Sequence, residues 1–169
     1  GLAGSGIQHG MRICVLAQNN LEYFELYLAA AKVGAVVYPI NWRLTAEEVG
    51  HVVTRAQPEA FVYDASCAEV TAQVRANHGD VPQWIAIGGA ADAVDFATLY
   101  SEGSVEQGRS APDDLFVAIS TAAVDVIPRG AALSHANVIS ASAQTVSVMG
   151  LDETDAHLLC LPLFHITAR

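Results

Sequence analysis

The chain has 169 residues, and its 52% hydrophobic and 15% charged content indicates a folded domain with one substantial core rather than a disordered segment. Eighteen acidic residues against eight basic ones give a formal charge of −10. This balance excludes an extended nucleic-acid surface, because phosphate contacts need clustered Lys and Arg. Charged residues interrupt the most apolar region well before the roughly 20 residues that span a bilayer, so no transmembrane segment is expected.

The cysteines and the chain ends indicate where such a protein acts. Cys14, Cys67 and Cys160 are odd in number and lie mostly in apolar segments, which suits reduced core thiols better than disulfides and predicts a cytoplasmic location. The first residues lack the basic and apolar stretches of a signal peptide, and there is no initiator Met. We therefore expect a piece of a longer polypeptide.

The first half of the chain alternates predicted strands and helices. Strands are indicated by short apolar runs, and helices by apolar residues three and four positions apart. In order, the sequence predicts a strand at 11–17, a helix from 20 to Gly34, a strand at 35–40, a helix opened by a Thr45–Glu48 capping box, a strand at 60–63, a helix at 65–77 and a strand at 84–87. Such alternation is typical of a parallel sheet.

The second half begins with an exposed connection at about 88–112, rich in Gly, Ala and Ser, with a short helix near 95–100. It continues with a strand at 115–120, a loop at 121–130, a short strand at 131–133, a helix capped by Ser134 and a sixth strand at 157–161. Residues 1–169 are thus predicted to form one α/β subdomain, a doubly wound, mostly parallel sheet with helices on both faces. Ligands of such folds gather at the carboxyl ends of the strands.

Several common functional motifs are absent from the sequence. Gly4 and Gly6 precede a strand, whereas a dinucleotide fingerprint needs three glycines after one, and no Walker phosphate loop occurs. The histidines are scattered and the cysteines are not paired in spacing, so no metal site is predicted. The Gly-x-Ser-x-Gly elbow of serine hydrolases is also missing.

Short blocks at 18–24, 32–41, 43–48, 113–119, 128–130, 133–137 and 161–165 follow one another along the chain. In the same order they resemble blocks of the adenylate-forming superfamily, which contains acyl-CoA synthetases, aryl-CoA ligases, luciferases and peptide-synthetase adenylation domains. The family patterns are PNSxEF, KxGAxxxPxN, RLTxxE, an Asp-led strand, PKG, LSHxN and PLFH. The resemblance covers the whole chain and implies the amino-terminal region of such an enzyme, its first subdomain.

The phosphate-binding loop departs from the family pattern. The family reads TSGTTG before PKG, and the positions implied to bind the nucleotide phosphates are here Thr121, Ala122, Ala123, Val124, Asp125, Pro128, Arg129 and Gly130. Glycines let backbone amides approach phosphate and hydroxyls donate to its oxygens, so the loss of both predicts weaker binding. Asp125 adds a negative charge, while Arg129 keeps the positive charge of the family Lys.

The resemblance implies ATP-dependent activation of a carboxylic acid to an acyl-adenylate and then to a CoA thioester. ATP, Mg²⁺ and coenzyme A are the implied cofactors, and His165 is the implied acid-site residue, although a satisfied core histidine is the alternative. A fatty acid is the expected substrate class, and the remaining ligase subdomains are the expected partners. A degenerate relative that acts as a non-catalytic binding module is the alternative function, and oligomeric state stays open, with a homodimer among the options.

Overall fold

A single sheet organises the chain, and the computed structural model describes residues 1–101, 110–120 and 130–165 of it. Within these ranges seven strands lie in the order β5-β4-β3-β1-β2-β6-β7. They are β1 (Arg12–Leu16), β2 (Val36–Pro39), β3 (Ala60–Asp64), β4 (Gln83–Ile87), β5 (Val94–Asp95), β6 (Leu115–Ser120) and β7 (Gly130–Ser134). Neighbouring strands are parallel except for the antiparallel pair β6 and β7, which confirms the predicted mostly parallel sheet.

Helix ends carry the local signals that the sequence predicts. The α-helices of the described residues are α1 (Leu21–Val33), α2 (Ala46–Ala56), α3 (Ala68–Asn77) and α4 (His135–Met149). Asn20 begins α1 by accepting a hydrogen bond from a free amide of its first turn, and Gly34 ends it at φ 79°, a left-handed conformation that favours glycine. Thr45 and Glu48 form the predicted capping box of α2, and Ser134 caps α4.

Two apolar layers lie on opposite faces of the sheet. One packs against α1 and the other against α2 and α3. In β1, Ile13 and Val15 face α1, whereas Cys14 and Leu16 face the other two helices. Helices on both faces of a mostly parallel sheet confirm the doubly wound fold class.

The prediction of a sixth strand at 157–161 is wrong, because these residues form no strand in the structure. Leu158 is 83% exposed, and the Leu161 carbonyl accepts a hydrogen bond from Asn19 Nδ2 at 2.8 Å. An apolar run becomes a strand only where a neighbouring backbone offers a ladder, and here a side chain takes that hydrogen bond.

The connection predicted at 88–112 contains more structure than expected. Strand β5 was missed, and the short predicted helix is a 3-10 helix over Phe96–Leu99 whose Phe96 ring is buried. Residues 102–109 of this connection lie outside the described residues.

Helix α4 buries none of its residues. The apolar face predicted from Ile139, Ala143 and Val146 is exposed, with Ile139 at 66% and Val146 at 47%. No helix among the described residues combines the length and the apolar character needed to cross a membrane.

Candidate functional site

Ser120 and Gly130, which flank the predicted loop, and the turn that contains His165 border one edge of the sheet. Strands β1, β2, β3 and β6 are parallel, so their carboxyl ends meet there. Helix α1, which follows β1, and helix α3, which follows β3, lie on opposite faces of the sheet. Because β1 and β3 are neighbours, the point between them is the switch point of the doubly wound sheet. Ligands of such folds bind outside this edge, so the edge is the candidate functional site.

The predicted phosphate loop connects β6 and β7 at this edge. Ser120, the last residue of β6, pairs with Gly130, the first residue of β7, so the two ends of the loop are held side by side. Thr121, Ala122, Ala123, Val124, Asp125, Pro128 and Arg129 lie outside the described residues. Of the predicted phosphate contacts, the structure therefore places Gly130 alone, in an exposed position at the start of β7.

An open cleft adjoins the two ends of the loop on the α2 side of the sheet. It has a volume of ≈ 290 Å³ and is lined by Tyr38 and Pro39 of β2, by Val52 and Arg55 of α2, and by Ser120 and Gly130. An open cleft therefore lies next to Ser120 and Gly130, the two residues that flank the predicted loop.

His165, the predicted acid-site residue, is exposed and lies in a turn beyond the carboxyl end of β1. Its amide donates to the Pro162 carbonyl at 2.9 Å, which closes the turn. Asn19, three residues past β1, holds the preceding residues, because it donates to the Leu161 carbonyl and accepts from the Leu163 amide, both at 2.8 Å. Only β2 separates β1 from β6, so the strand beyond which this turn lies and the strand that leads into the loop are about 10 Å apart.

Two residues of this arrangement, Asn19 and Tyr27, were not given a role from the sequence. Tyr27 donates from its hydroxyl to the Leu163 carbonyl at 3.1 Å, and its ring lies 6.0 Å from that of Phe116 in β6. The partners are more than 130 positions apart along the chain, so local patterns carry no signal for them. Asn19 does lie shortly after a buried strand, the place where a polar residue can reach across the sheet edge.

Asp114 fixes the other end of β6, where the strand begins. Its Oδ2 accepts a hydrogen bond from the Ala111 amide at 2.7 Å and lies 2.8 Å from His9 Nε2, while its carbonyl accepts from the His135 amide at the start of α4. The hydrogen bond with His9, then that from Ala111, lowers the pKa of Asp114 below its ordinary value. Asp114, in the block that resembles the Asp-led strand of the family, thus anchors β6 at the end away from the loop.

Replacing Asp114 by Asn is expected to lower the melting temperature at pH 7 by a few degrees. A carboxyl group whose pKa is lower in the folded chain stabilises it above the ordinary pKa, and this contribution is lost as pH falls through the lowered value. The difference between the variant and the parent should therefore shrink as pH falls below the ordinary aspartate pKa of about 3.9. Thermal unfolding measured across pH checks this, and Asp113→Asn, a change at the exposed neighbouring residue, is the control. A difference in melting temperature between Asp114→Asn and the parent that persists unchanged in acid would contradict the prediction.

The sequence model of the AMP-binding enzyme family matches residues 1–169. A long-chain-fatty-acid–CoA ligase of Mycobacterium tuberculosis is 34% identical over 99% of this chain and 33% of its own length. The solved structure of a Mycobacterium tuberculosis fatty acyl CoA synthetase superposes with a TM-score of 0.87 at 30% identity, over 99% of this chain and 32% of that one. ATP-bound MatB from Rhodopseudomonas palustris superposes with a TM-score of 0.82 at 28% identity, over 99% of this chain and 33% of that one.

The chain belongs to the AMP-binding enzyme family. Its fold is that of the amino-terminal part of acyl-CoA ligase structures, as the sequence resemblance implied. The chain spans about a third of the length of the curated relatives it matches.

Proposed function

We propose that this chain supplies the phosphate loop and part of the acid site of a ligase that activates a carboxylic acid with ATP and transfers it to coenzyme A. The observation that carries the proposal is the family match over residues 1–169 together with a sheet edge that carries Ser120 and Gly130, the two ends of the loop, and the His165 turn. The similar proteins named above are ligases or synthetases or bind ATP, so they favour this function over a non-catalytic module.

The proposed reaction has two steps. A carboxylate oxygen attacks the α-phosphorus of ATP, the bond from that phosphorus to the bridging oxygen breaks, and pyrophosphate leaves. The sulfur of coenzyme A then attacks the acyl carbon, loses its proton, and displaces AMP. Because both steps are group transfers, the protein mainly has to position the reactants and neutralise developing charge.

The loop residues are proposed to hold the phosphates. Backbone amides of Ala122, Ala123, Val124 and Asp125 and the hydroxyl of Thr121 are the donors, and Arg129, between Pro128 and Gly130, supplies the positive charge. Mg²⁺ bound with the nucleotide would offset the negative charge of its phosphates. The Asp125 carboxylate repels the same phosphates, so we expect weaker nucleotide binding than the family loop sequence would give.

His165 is proposed to stand beside the acid and orient its carboxylate toward the α-phosphorus. His165 is exposed in a turn at the edge that also carries Ser120 and Gly130, the two ends of the loop, which supports this role. A fatty acid is proposed as the substrate because a similar protein is named for long-chain fatty acids. Most of the acid pocket would come from parts of the ligase outside these 169 residues.

The remaining ligase subdomains are proposed to cover α4. This helix has no buried residue and exposes Ile139, Val146, Val148 and Met149, which is unusual for a helix whose apolar residues share a face. Similar proteins are about three times as long, so the chain length to cover it exists in the family.

A cytoplasmic location is proposed from the free thiols of Cys14, Cys67 and Cys160. The homodimer stays a prediction.

Acid-dependent release of pyrophosphate by the full-length protein tests the proposed function. The protein is incubated with Mg–ATP and a panel of short, medium, long-chain and aromatic acids. We expect release that depends on the acid and is largest within the fatty acids. If no acid stimulates release from folded protein, the proposed function is wrong.

A further inference from the structure

We propose that Asn19 is a positioning residue for acid activation, because its side-chain amide fixes the turn that carries His165. This inference rests on the proposed function, in which His165 stands beside the acid. It adds a role for a residue that lies three positions past β1, far from His165 in sequence and outside the phosphate loop.

Asn19 uses both ends of its amide on one short segment. Nδ2 donates to the Leu161 carbonyl and Oδ1 accepts from the Leu163 amide, each at 2.8 Å. These lengths are those of well-formed hydrogen bonds. A carboxylate could accept but not donate, and an alanine could do neither, so the two contacts together require an amide.

The clamped segment is also anchored in the core. Leu163 is 3% exposed and packs with the α1-side layer of the sheet. Its carbonyl accepts from the Tyr27 hydroxyl at 3.1 Å, and the Tyr27 ring stacks on Tyr23 with centroids 5.3 Å apart. Both the amide and the carbonyl of one buried residue are therefore held by side chains from the β1–α1 unit.

His165 follows this anchor by two residues. Its own amide is bonded to the Pro162 carbonyl, inside the segment that Asn19 holds, so the turn can only shift if the clamp shifts. Tyr27 also contacts Phe116 of β6, the strand that leads into the phosphate loop. The turn that carries His165 and strand β6 thus both contact Tyr27, which sets their relative placement.

The backbone of Asn19 is itself fixed by its neighbours. The Gln18 amide donates to Asp64 Oδ2 at 2.8 Å, across the gap between the carboxyl ends of β1 and β3. Asn20 caps α1 by accepting from the Tyr23 amide at 2.7 Å. Asn19 therefore reaches out from a rigid base, and Asn20 provides a matched control of the same residue type whose side chain accepts from α1 rather than from the turn.

The test compares Asn19→Ala, Asn19→Asp and Tyr27→Phe with the control Asn20→Ala, all in the full-length protein. Hydrogen exchange of peptides covering 161–165 reports the anchoring, calorimetry gives the Kd for Mg–ATP, and pyrophosphate release gives kcat and KM for the acid. Misplacing a reacting group by about 1 Å can cost about a hundredfold in rate. We expect Asn19→Ala to speed exchange at 161–165 and to lower kcat/KM for the acid by about tenfold to a hundredfold.

The controls separate positioning from general stability. Asn20→Ala should lower the melting temperature through its lost cap yet leave exchange at 161–165, and kcat/KM, close to those of the parent. Asn19→Asp should behave like Asn19→Ala, because its carboxylate would face the Leu161 carbonyl. Tyr27→Phe should produce the same changes in smaller size, and the Kd for Mg–ATP should stay near the parent value in every variant.

The outcomes distinguish this proposal from the proposed function. Faster exchange with unchanged kcat/KM in Asn19→Ala would overturn the positioning role while acid-dependent release by the parent upholds the function. Unchanged exchange would overturn the clamp itself, whether or not the parent is active. A parent without acid-dependent release would overturn the proposed function and, with it, the role of Asn19 in activation.

Discussion

Replacing Arg129 by Ala is expected to lower acid-dependent pyrophosphate release by the full-length protein about a hundredfold. Arg129 is the one cationic side chain of the predicted loop at 121–130. The same loop has lost most of the family hydroxyls and carries Asp125. Removing one preorganised group that stabilises transition-state charge costs about 100- to 1000-fold in comparable enzyme sites. The measurement is initial rates of pyrophosphate release at saturating acid across a range of Mg–ATP concentrations.

Two further variants show whether charge is the cause. Arg129→Lys keeps the positive charge and restores the family residue, so we expect it to keep most of the rate. Asp125→Thr removes a repelling carboxylate and returns a hydroxyl, so it should raise the affinity for Mg–ATP. Equal loss in Arg129→Ala and Arg129→Lys, with no gain in Asp125→Thr, would mean that the loop does not bind phosphate through its charge.

The largest effect on stability is expected from Phe61→Ala. Phe61 is fully buried in β3 on the face of α2 and α3, with its ring centroid 4.9 Å from that of Trp84. Truncating a buried Phe removes apolar contact and leaves a cavity, which costs about 3–5 kcal/mol. A loss of this size is a large share of the about 5–15 kcal/mol that stabilises a typical domain. Denaturant unfolding of the chain measures the change in the free energy of unfolding.

Phe24→Ala is the matched control, since the same atoms are removed from an α1 residue that is 47% exposed. Surface truncation away from caps and charges usually changes the free energy of unfolding by about 0.5 kcal/mol or less. Comparable losses in the two variants would contradict the assignment of Phe61 to the core.

The sheet was largely predictable because its signals are local. Apolar runs indicated β1 to β4 and β6, and caps at Thr45 and Ser134 marked the helix starts. The two-residue β5 was missed since a strand that short has no periodicity to detect. The strand predicted at 157–161 failed for a related reason, because whether an apolar run pairs depends on which edge it meets and not on its own composition.

The candidate site was predictable only in part. The order of family blocks located the loop between two strands, and the structure holds its ends together as Ser120 and Gly130. The contacts of Asn19 and Tyr27 with Leu163 join residues far apart in sequence, so composition and spacing give no hint of them. Likewise, the apolar face of α4 could be predicted, but its exposure depends on what packs against it.

Titration of Mg–ATP into the full-length protein by calorimetry tests the central claim most directly. The account predicts saturable binding of one nucleotide per chain, weakened in Arg129→Ala and retained in Arg129→Lys. Folded protein that binds no Mg–ATP in the presence or absence of a carboxylic acid would contradict the account and favour a non-catalytic role for this family member.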